Sequence, residues 1–309
     1  MTQRWKNKII LAAVEATYGV DPAPAAANGI LAVDVALSPM EGTERDRNLD
    51  TPYLGGTGML PAELHQRLTF KVELVGSGTA GTVPGWGVLM RGCACAETIV
   101  ADTSVTYNPI SDNHESLTFY VWIDGTQYVL GGSRGTCTIG WTAQNIPYLE
   151  FTFTALYRRP AEVARIPPDL SAFQKPRLAS AANTPTMTIA GNAFVTRSFS
   201  LDLANQVEPR FLINQEEIII VERADVLTST VAAVPLTTFD PYAAGETSAE
   251  VPVVMTHDNR DGYRVALNAP TCEMQRTASL ENAQNIVEWP LRLMPLPSAG
   301  NDQWTLVLT

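Results

Sequence analysis

Apolar and polar residues alternate along most of the chain, in short runs separated by turn-forming residues. The clearest runs are residues 68–75, 116–123 and 199–203, which are rich in β-branched and aromatic side chains. A period of two is typical of antiparallel strands with one buried face, and Gly, Pro, Asn and Asp mark the turns between them. Residues 86–94 and, more weakly, residues 239–244 have a pattern compatible with a helix. The chain is therefore predicted to be mainly β.

A stretch after residue 122 is repeated after residue 257. At one constant spacing, the matched residues are Tyr128 with Tyr263, Thr136 and Cys137 with Thr271 and Cys272, and Thr142 and Ala143 with Thr277 and Ala278. Past a short insertion, Glu150 aligns with Glu288 and Phe151 with Trp289, each in an apolar alternation. The repeat predicts two tandem β-rich domains, residues 1–160 and 187–309, each a β-sandwich or half-barrel with one flanking helix. Chance identity in a chain rich in Thr and Ala is the competing explanation.

Two stretches interrupt the alternation. Residues 161–186 are rich in proline and small residues, which predicts a semi-stiff extended linker between the domains. Residues 39–63 mix charges with Gly and Pro and are too long for an ordinary hairpin turn. We expect them to form an irregular loop, poorly ordered in a free subunit, because loops of this length are usually functional or mobile.

Composition narrows the class of protein. The 309 residues suit two domains that each bury a core. Only 17% of residues are charged, and the net charge is −11, so neither half resembles a phosphate-binding surface, and partners are expected to cover much of the protein. Four scattered cysteines favour reduced thiols in a cytoplasm, with Cys137 and Cys272 at equivalent buried positions. The apolar run at residues 9–14 is shorter than a signal-peptide core, and no later run approaches the ~20 apolar residues of a membrane span.

Motifs that carry chemistry are matched only in part. Residues 76–81 fit the G-x-G-x-x-G pattern, but no βαβ unit surrounds them, so they are interpreted as a strand-end loop. Ser133 fits a nucleophile elbow, but strands are predicted on both sides, so it is interpreted as part of a hairpin connection. Residues 257–268 lack the terminal carboxylates of a calcium loop, and residues 112–115 are interpreted as a solvated turn. We expect no catalytic residue, cofactor or metal; a hydrolase using Ser133 is the remote alternative.

Several segments resemble one family. They are residues 9–24 (IILAAVEATYGVDPAP), 37–42 (LSPMEG), 53–56 (YLGG), the strand and loop at 68–81, Trp86, 184–186 (TPT), 198–206 (SFSLDLANQ) and 291–302 (LRLMPLPSAGND). The chain resembles phage tail tube (major tail) proteins of long, flexible, non-contractile tails, particularly those of Mu-like prophages. The matches are spread over nearly the whole chain and include no catalytic signature.

The resemblance implies a virion structural protein, assembled in the host cytoplasm, whose rings stack into a hollow conduit for DNA ejection. In family members with a duplicated tube domain, three chains form a pseudo-hexameric ring. Partners would be further copies of the chain, other tail proteins at the tube ends, and double-stranded DNA that passes without specific binding. The acidic charge suits such a passage, because a negative lumen repels phosphates. A capsid decoration protein is the alternative.

Contacts between subunits are expected at the charged loop. The candidate residues are Glu44, Arg45, Asp46, Arg47 and Tyr53. The N-terminal arm and the interdomain linker are further candidates, because stacked rings need segments that reach the next ring.

Overall fold

The computed structural model describes residue 2 and residues 4–309 and confirms the prediction of a mainly β protein, with 51% of residues in strands and 5% in helices. The first half contains β1 (Lys8–Val14), β2 (Val33–Asp46), β3 (Met59–Glu73), α1 (Gly87–Arg91), β4 (Cys95–Val100), β5 (Ser104–Pro109), β6 (Leu117–Ile123), β7 (Thr126–Thr142), β8 (Tyr148–Leu156) and β9 (Ala161–Glu162). The second half contains β10 (Thr186–Ile189), β11 (Asn192–Ala193), β12 (Thr196–Asp202), β13 (Asn205–Leu212), β14 (Gln215–Arg223), β15 (Val226–Ala232), α2 (Pro241–Glu246), β16 (Glu250–His257), β17 (Val265–Met274), β18 (Glu281–Ala283), β19 (Ile286–Pro295) and β20 (Thr305–Leu308). A short 3-10 helix spans Ala26–Asn28. Helix α1 lies within the predicted region 86–94, and α2 overlaps the predicted region 239–244 but extends to Glu246.

One pairing order occurs in both halves. In the first half, antiparallel pairs join β2 to β3, β3 to β8, β8 to β7, β7 to β6 and β6 to β1. In the second half, they join β12 to β15, β15 to β19, β19 to β17, β17 to β16 and β16 to β10. A helix follows the second strand of each series, and β7 and β17 each pair on both sides. Strand for strand, β2 corresponds to β12 and β7 to β17.

Two local features fix how β7 and β17 correspond. In β7, a bulge separates Leu130 from Ser133 along the ladder with β6; in β17, a bulge separates Ala269 from Cys272 along the ladder with β16. Two residues beyond each bulge, a backbone amide bonds to the chain just after the preceding helix: Gly135 to the Gly92 carbonyl at 3.0 Å, and Met274 to the Ala249 carbonyl at 2.9 Å.

These features correct the expected alignment of the repeat. Cys272 occupies the place of Ser133, not that of Cys137, although both cysteines are buried as expected. By the same register, Phe151 of the first half corresponds to Leu291 of the second half, and not to Trp289. Matches between small residues such as Thr, Cys and Ala carry little information, whereas a bulge is a defined feature of the ladder.

Aromatic side chains fill the core of the first half. Phe70 on β3 and Phe153 on β8 both contact Phe119 on β6, with ring centroids 6.1 Å and 4.7 Å away, so side chains of strands on both sides of β7 meet in the core. Phe151 lies beside Phe70 and Phe153 at 5.7 Å and 5.8 Å. Trp86 before α1 packs on Tyr107 and donates to the Val75 carbonyl, which ties the helix to the sheet. As predicted, β8 and β19 each bury one face.

The two halves share strand ladders. β12 pairs with the end of β7, with Ser200 opposite Gly140 and Phe199 opposite Trp141. β20 pairs with β17 on one side and with β5 on the other. Between β9 and β10 the chain has no strand and follows the first half, where the Ala179 amide donates to the Asn145 carbonyl at 2.9 Å. Backbone hydrogen bonds, in addition to this segment, therefore hold the halves together.

Two sequence-based interpretations change in detail, and a third is confirmed. Residues 39–63 are not an irregular loop: they are largely a long hairpin made by the outer parts of β2 and β3, and only residues 47–58 lie outside strands. Ser133 lies within the continuous strand β7 at its bulge, not in a hairpin connection, and its buried hydroxyl donates to the Leu130 carbonyl. Residues 76–81 form a loop after β3, as expected, and this loop packs against the second half, where a side chain at Gly76 would meet the Gly262 carbonyl at 2.3 Å.

Candidate assembly interface

Each half extends a long hairpin from corresponding strands. The first hairpin, residues 39–63, continues β2 and β3; the second hairpin, residues 205–223, consists of β13 and β14 and continues β12 and β15. The second hairpin lies against β7 and β8 of the first half. The same chain thus contains a hairpin that is docked and a related hairpin whose surroundings can be compared with it.

Arg134 on β7 is the centre of the docked contact. Its guanidinium donates to the Glu217 carboxylate at 2.9 Å and to the Ile218 carbonyl at 2.7 Å, both on β14, and to the His114 carbonyl at 2.9 Å. The side chain of Arg134 is 12% exposed and that of Glu217 is 24% exposed. Because the pair is largely removed from water and anchored by two carbonyls, it contributes more than a surface ion pair would.

Tyr18 supports this arrangement from the other side. Its hydroxyl accepts a hydrogen bond from the Ile218 amide at 2.6 Å and donates to the Gly132 carbonyl at 3.2 Å. The Arg134 guanidinium lies 4.9 Å from the centre of the Tyr18 ring, within cation–π range. Burial raises the pKa of Tyr18 to about 12, so the hydroxyl keeps its proton and its donor role further into the alkaline range than an ordinary tyrosine.

The base of the second hairpin is fixed by Asn205 and Arg223. The side-chain nitrogen Nδ2 of Asn205 donates to the carbonyls of Cys93 and Gly135 at 2.9 Å and 3.0 Å. The side-chain oxygen Oδ1 of Asn205 accepts from Arg223. Arg223 also donates to the Ala94 carbonyl at 2.8 Å. These bonds satisfy carbonyls just after α1, so the hairpin completes the first half as well as covering it.

The first hairpin holds all five predicted contact residues. Glu44, Arg45 and Asp46 lie on β2, Arg47 follows it, and Tyr53 is in the loop with 81% of its surface exposed. The side-chain contacts near the tip of this hairpin are internal: Arg45 pairs with Glu63 at 3.6 Å, and Asp46 accepts from Thr57. Exposed apolar side chains also lie here, namely Met40, Leu49, Leu54, Met59 and Leu60. The structure therefore brings the predicted residues together on one projecting element.

Sequence reasoning missed the residues that hold the second hairpin. Arg134 interrupts an apolar strand between two glycines, and a long cation at such a position is a signal that could have been followed. Tyr18 lies inside one of the segments that carried the family resemblance. Nothing in the spacing of Asn205 and Arg223 indicates that both side chains donate to carbonyls just after α1.

Other candidate sites are few. A cavity of about 330 Å³ lies beside the junction of β7 and β12 and is lined by residues that include Trp141, Arg197 and Phe199. Within residues 2 and 4–309, no group of three or more His, Cys, Asp or Glu side chains is arranged to hold a metal ion. The four cysteines are free and buried, and no helix in the described residues is long and apolar enough to cross a membrane. The two hairpins are therefore the main candidate site.

Comparison with known proteins adds no further assignment. No protein-family model matches the chain, and no curated protein matches it significantly.

Proposed function

We propose that this protein is a virion structural protein, the ring-forming subunit of a phage tail tube. The observation that carries the proposal is that two related hairpins of the chain have different surroundings. The second hairpin is docked on the first half of its own chain, through Arg134 and Tyr18, whereas the first hairpin projects with exposed apolar and charged side chains. Each chain thus has one filled and one open copy of a similar contact.

An open copy of a contact between unlike surfaces leads to head-to-tail association. Such heterologous contacts close into rings or continue as filaments. Three chains, each with two similar halves, would give a ring of six similar units. Stacked rings would form the conduit, and the net charge of −11 per chain favours a passage that does not retain DNA.

Electron microscopy of the purified protein tests the proposal. We expect hollow tubes, or rings with six lobes built from three chains, and no retention of duplex DNA by these assemblies at physiological salt. Monomers at every concentration, or compact particles without a channel, would contradict the tube. Salt-sensitive DNA retention by well-formed tubes would contradict the non-binding conduit.

The loop of the first hairpin provides a second test. Deleting residues 51–58 removes loop residues only, so the subunit is expected to keep its melting temperature while the tubes become short or fail to stack. A variant with a Gly-Ser loop of equal length is the control, because it separates the role of the side chains from that of the loop length. Tubes of normal length from both variants would refute a role in stacking.

A further inference from the structure

A turn in the segment between the halves is bonded to both of them. This linker turn consists of residues 177–184. On the side of the first half, the Ala179 amide donates to the Asn145 carbonyl at 2.9 Å, and the Ala179 carbonyl accepts from the Gln144 amide at 2.7 Å. Residues of the linker turn also line the cavity beside the junction of β7 and β12. The position of this turn therefore affects how the two halves are held together.

His257, at the end of β16, holds the linker turn from the second half. The residue is 2% exposed, and both ring nitrogens face the turn. Nε2 lies 3.2 Å from the Arg177 carbonyl, and Nδ1 lies 3.0 Å from the Thr184 hydroxyl. Because a carbonyl can only accept, Nε2 carries a proton, and Nδ1 is the nitrogen that gains a proton in acid. The amide of the next residue, Asp258, adds a bond to the Asn183 carbonyl at 2.7 Å.

The charged groups around His257 leave no counter-charge for an added proton. They are Asp258 beside it, Arg260 in the following turn and Arg177 on the linker turn. The Asp258 carboxylate is buried and already accepts from Arg260, and Arg177 lies 3.5 Å from it. Two cations thus share one carboxylate, so a charged His257 would be a third cation in a site removed from water. Burial lowers the pKa of His257 accordingly.

We infer that His257 is an acid-sensitive latch on the linker turn: protonation of Nδ1 releases residues 177–184 from the second half and loosens the junction of the two halves. While the turn is held, a protonated Nδ1 points its hydrogen at the Thr184 hydroxyl, which has to reverse its own bond, and the charge stays out of water. Once the turn is released, water solvates the ring and this cost disappears. The inference concerns a single chain and does not depend on the proposed function.

The direction and size of the effect follow from proton linkage. Because the pKa of His257 is lowered in the held state, the latch has its full strength above the ordinary histidine pKa of ~6.5 and weakens as the pH falls below it. At pH 5.5 the ring of a released chain is protonated about ten to one, so the equilibrium for release rises by up to about tenfold relative to pH 7.5. Burial opposes the charge of Asp258, but the bonds from Arg260 outweigh it and lower the pKa of Asp258, so this carboxylate stays ionised over the same range.

Hydrogen exchange of the free subunit at pH 7.5 and pH 5.5 tests the latch. After correction for the intrinsic pH dependence of exchange, the amides of Ala179 and Asp258 should exchange about five to ten times faster at pH 5.5, because their acceptors lie across the contacts that the latch maintains. Amides of β8, in the core of the first half, should show no such change and serve as the internal reference.

His257→Gln tests which group titrates. Its side-chain amide can still donate to the Arg177 carbonyl but takes up no proton, so the acid acceleration at Ala179 should disappear. His114→Gln is the matched control. Burial lowers the pKa of His114 as well, but the carbonyl of His114 accepts from Arg134 in another part of the first half, so the acceleration at Ala179 should persist.

The possible results separate the latch from other effects of acid. Acceleration that persists in His257→Gln, or that disappears in His114→Gln, would overturn the inference. Equal corrected rates at the two pH values, or equal acceleration in β8, would also overturn it, since the latter would indicate unfolding of the whole chain. If His257→Gln does not fold, an NMR titration of the wild-type imidazole decides: together with the acceleration, a His257 pKa below ~6.5 supports the latch, and a pKa at or above that value contradicts it.

Discussion

Replacing Phe151 by alanine is expected to lower the free energy of unfolding by about 3 to 5 kcal/mol, the largest effect of any single substitution considered for this chain. The ring is 1% exposed and packs beside Phe70 and Phe153, so its loss leaves a cavity among aromatic side chains in the core. Urea titration followed by tryptophan fluorescence measures the change. Assembly should fail with it, because the second hairpin is docked on the first half and loses its support when that half unfolds.

Tyr53→Ala is the control for Phe151→Ala. It also removes an aromatic ring, but from an exposed loop position, and should change the free energy of unfolding by less than about 0.5 kcal/mol. A Phe151→Ala protein that forms normal tubes would show that this side chain is not part of the core.

Replacing Arg134 by alanine is expected to destabilise the free subunit by about 2 to 3 kcal/mol. The substitution leaves the partly buried Glu217 carboxylate and two carbonyls without their donor, and the cost is below that of a fully buried pair because Glu217 is 24% exposed. Hydrogen exchange at the Ile218 amide should accelerate first, since that amide depends on Tyr18 beside Arg134. Urea titration at concentrations where the chain is monomeric measures the total.

Arg45→Ala provides the comparison for Arg134→Ala. Its ion pair with Glu63 is 3.6 Å long, with side chains 69% and 45% exposed, so its loss should cost less than about 1 kcal/mol. If the two arginine variants lost equal stability, or if exchange at Ile218 were unchanged in Arg134→Ala, the second hairpin would not depend on this contact.

The strands could be predicted because burial on one face imposes a period of two on the sequence, as in residues 68–75. The alignment of the two halves could not, because it depends on the bulges of β7 and β17, and a bulge follows from pairing across the ladder and not from the identity of the residues in it. Cys137 and Cys272 show the difference: both are buried, yet they do not occupy the same place.

The candidate assembly interface was predicted only in part, because local sequence patterns do not show which residues contact each other over long range. Charges between Gly and Pro marked residues 39–63, and the structure places them on one hairpin. The long strands of this hairpin were missed because an exposed strand has no buried apolar face, and most residues of β2 are exposed. The contacts of Arg134 depend on Glu217, 83 positions away, and no local pattern reports a contact of that range.

The position of β20 in the sheet has a consequence for synthesis on the ribosome. Residues 306–308 fill the gap between β5 and β17, yet they are translated after every other strand described here. At roughly 5 to 20 residues per second, the edge of β5 waits on the order of ten to forty seconds for its neighbour. Throughout that interval a nascent chain presents an edge that other nascent chains on the same messenger could pair with. Slow translation or crowded polysomes should therefore favour aggregation, and a chaperone that covers β5 should improve the yield.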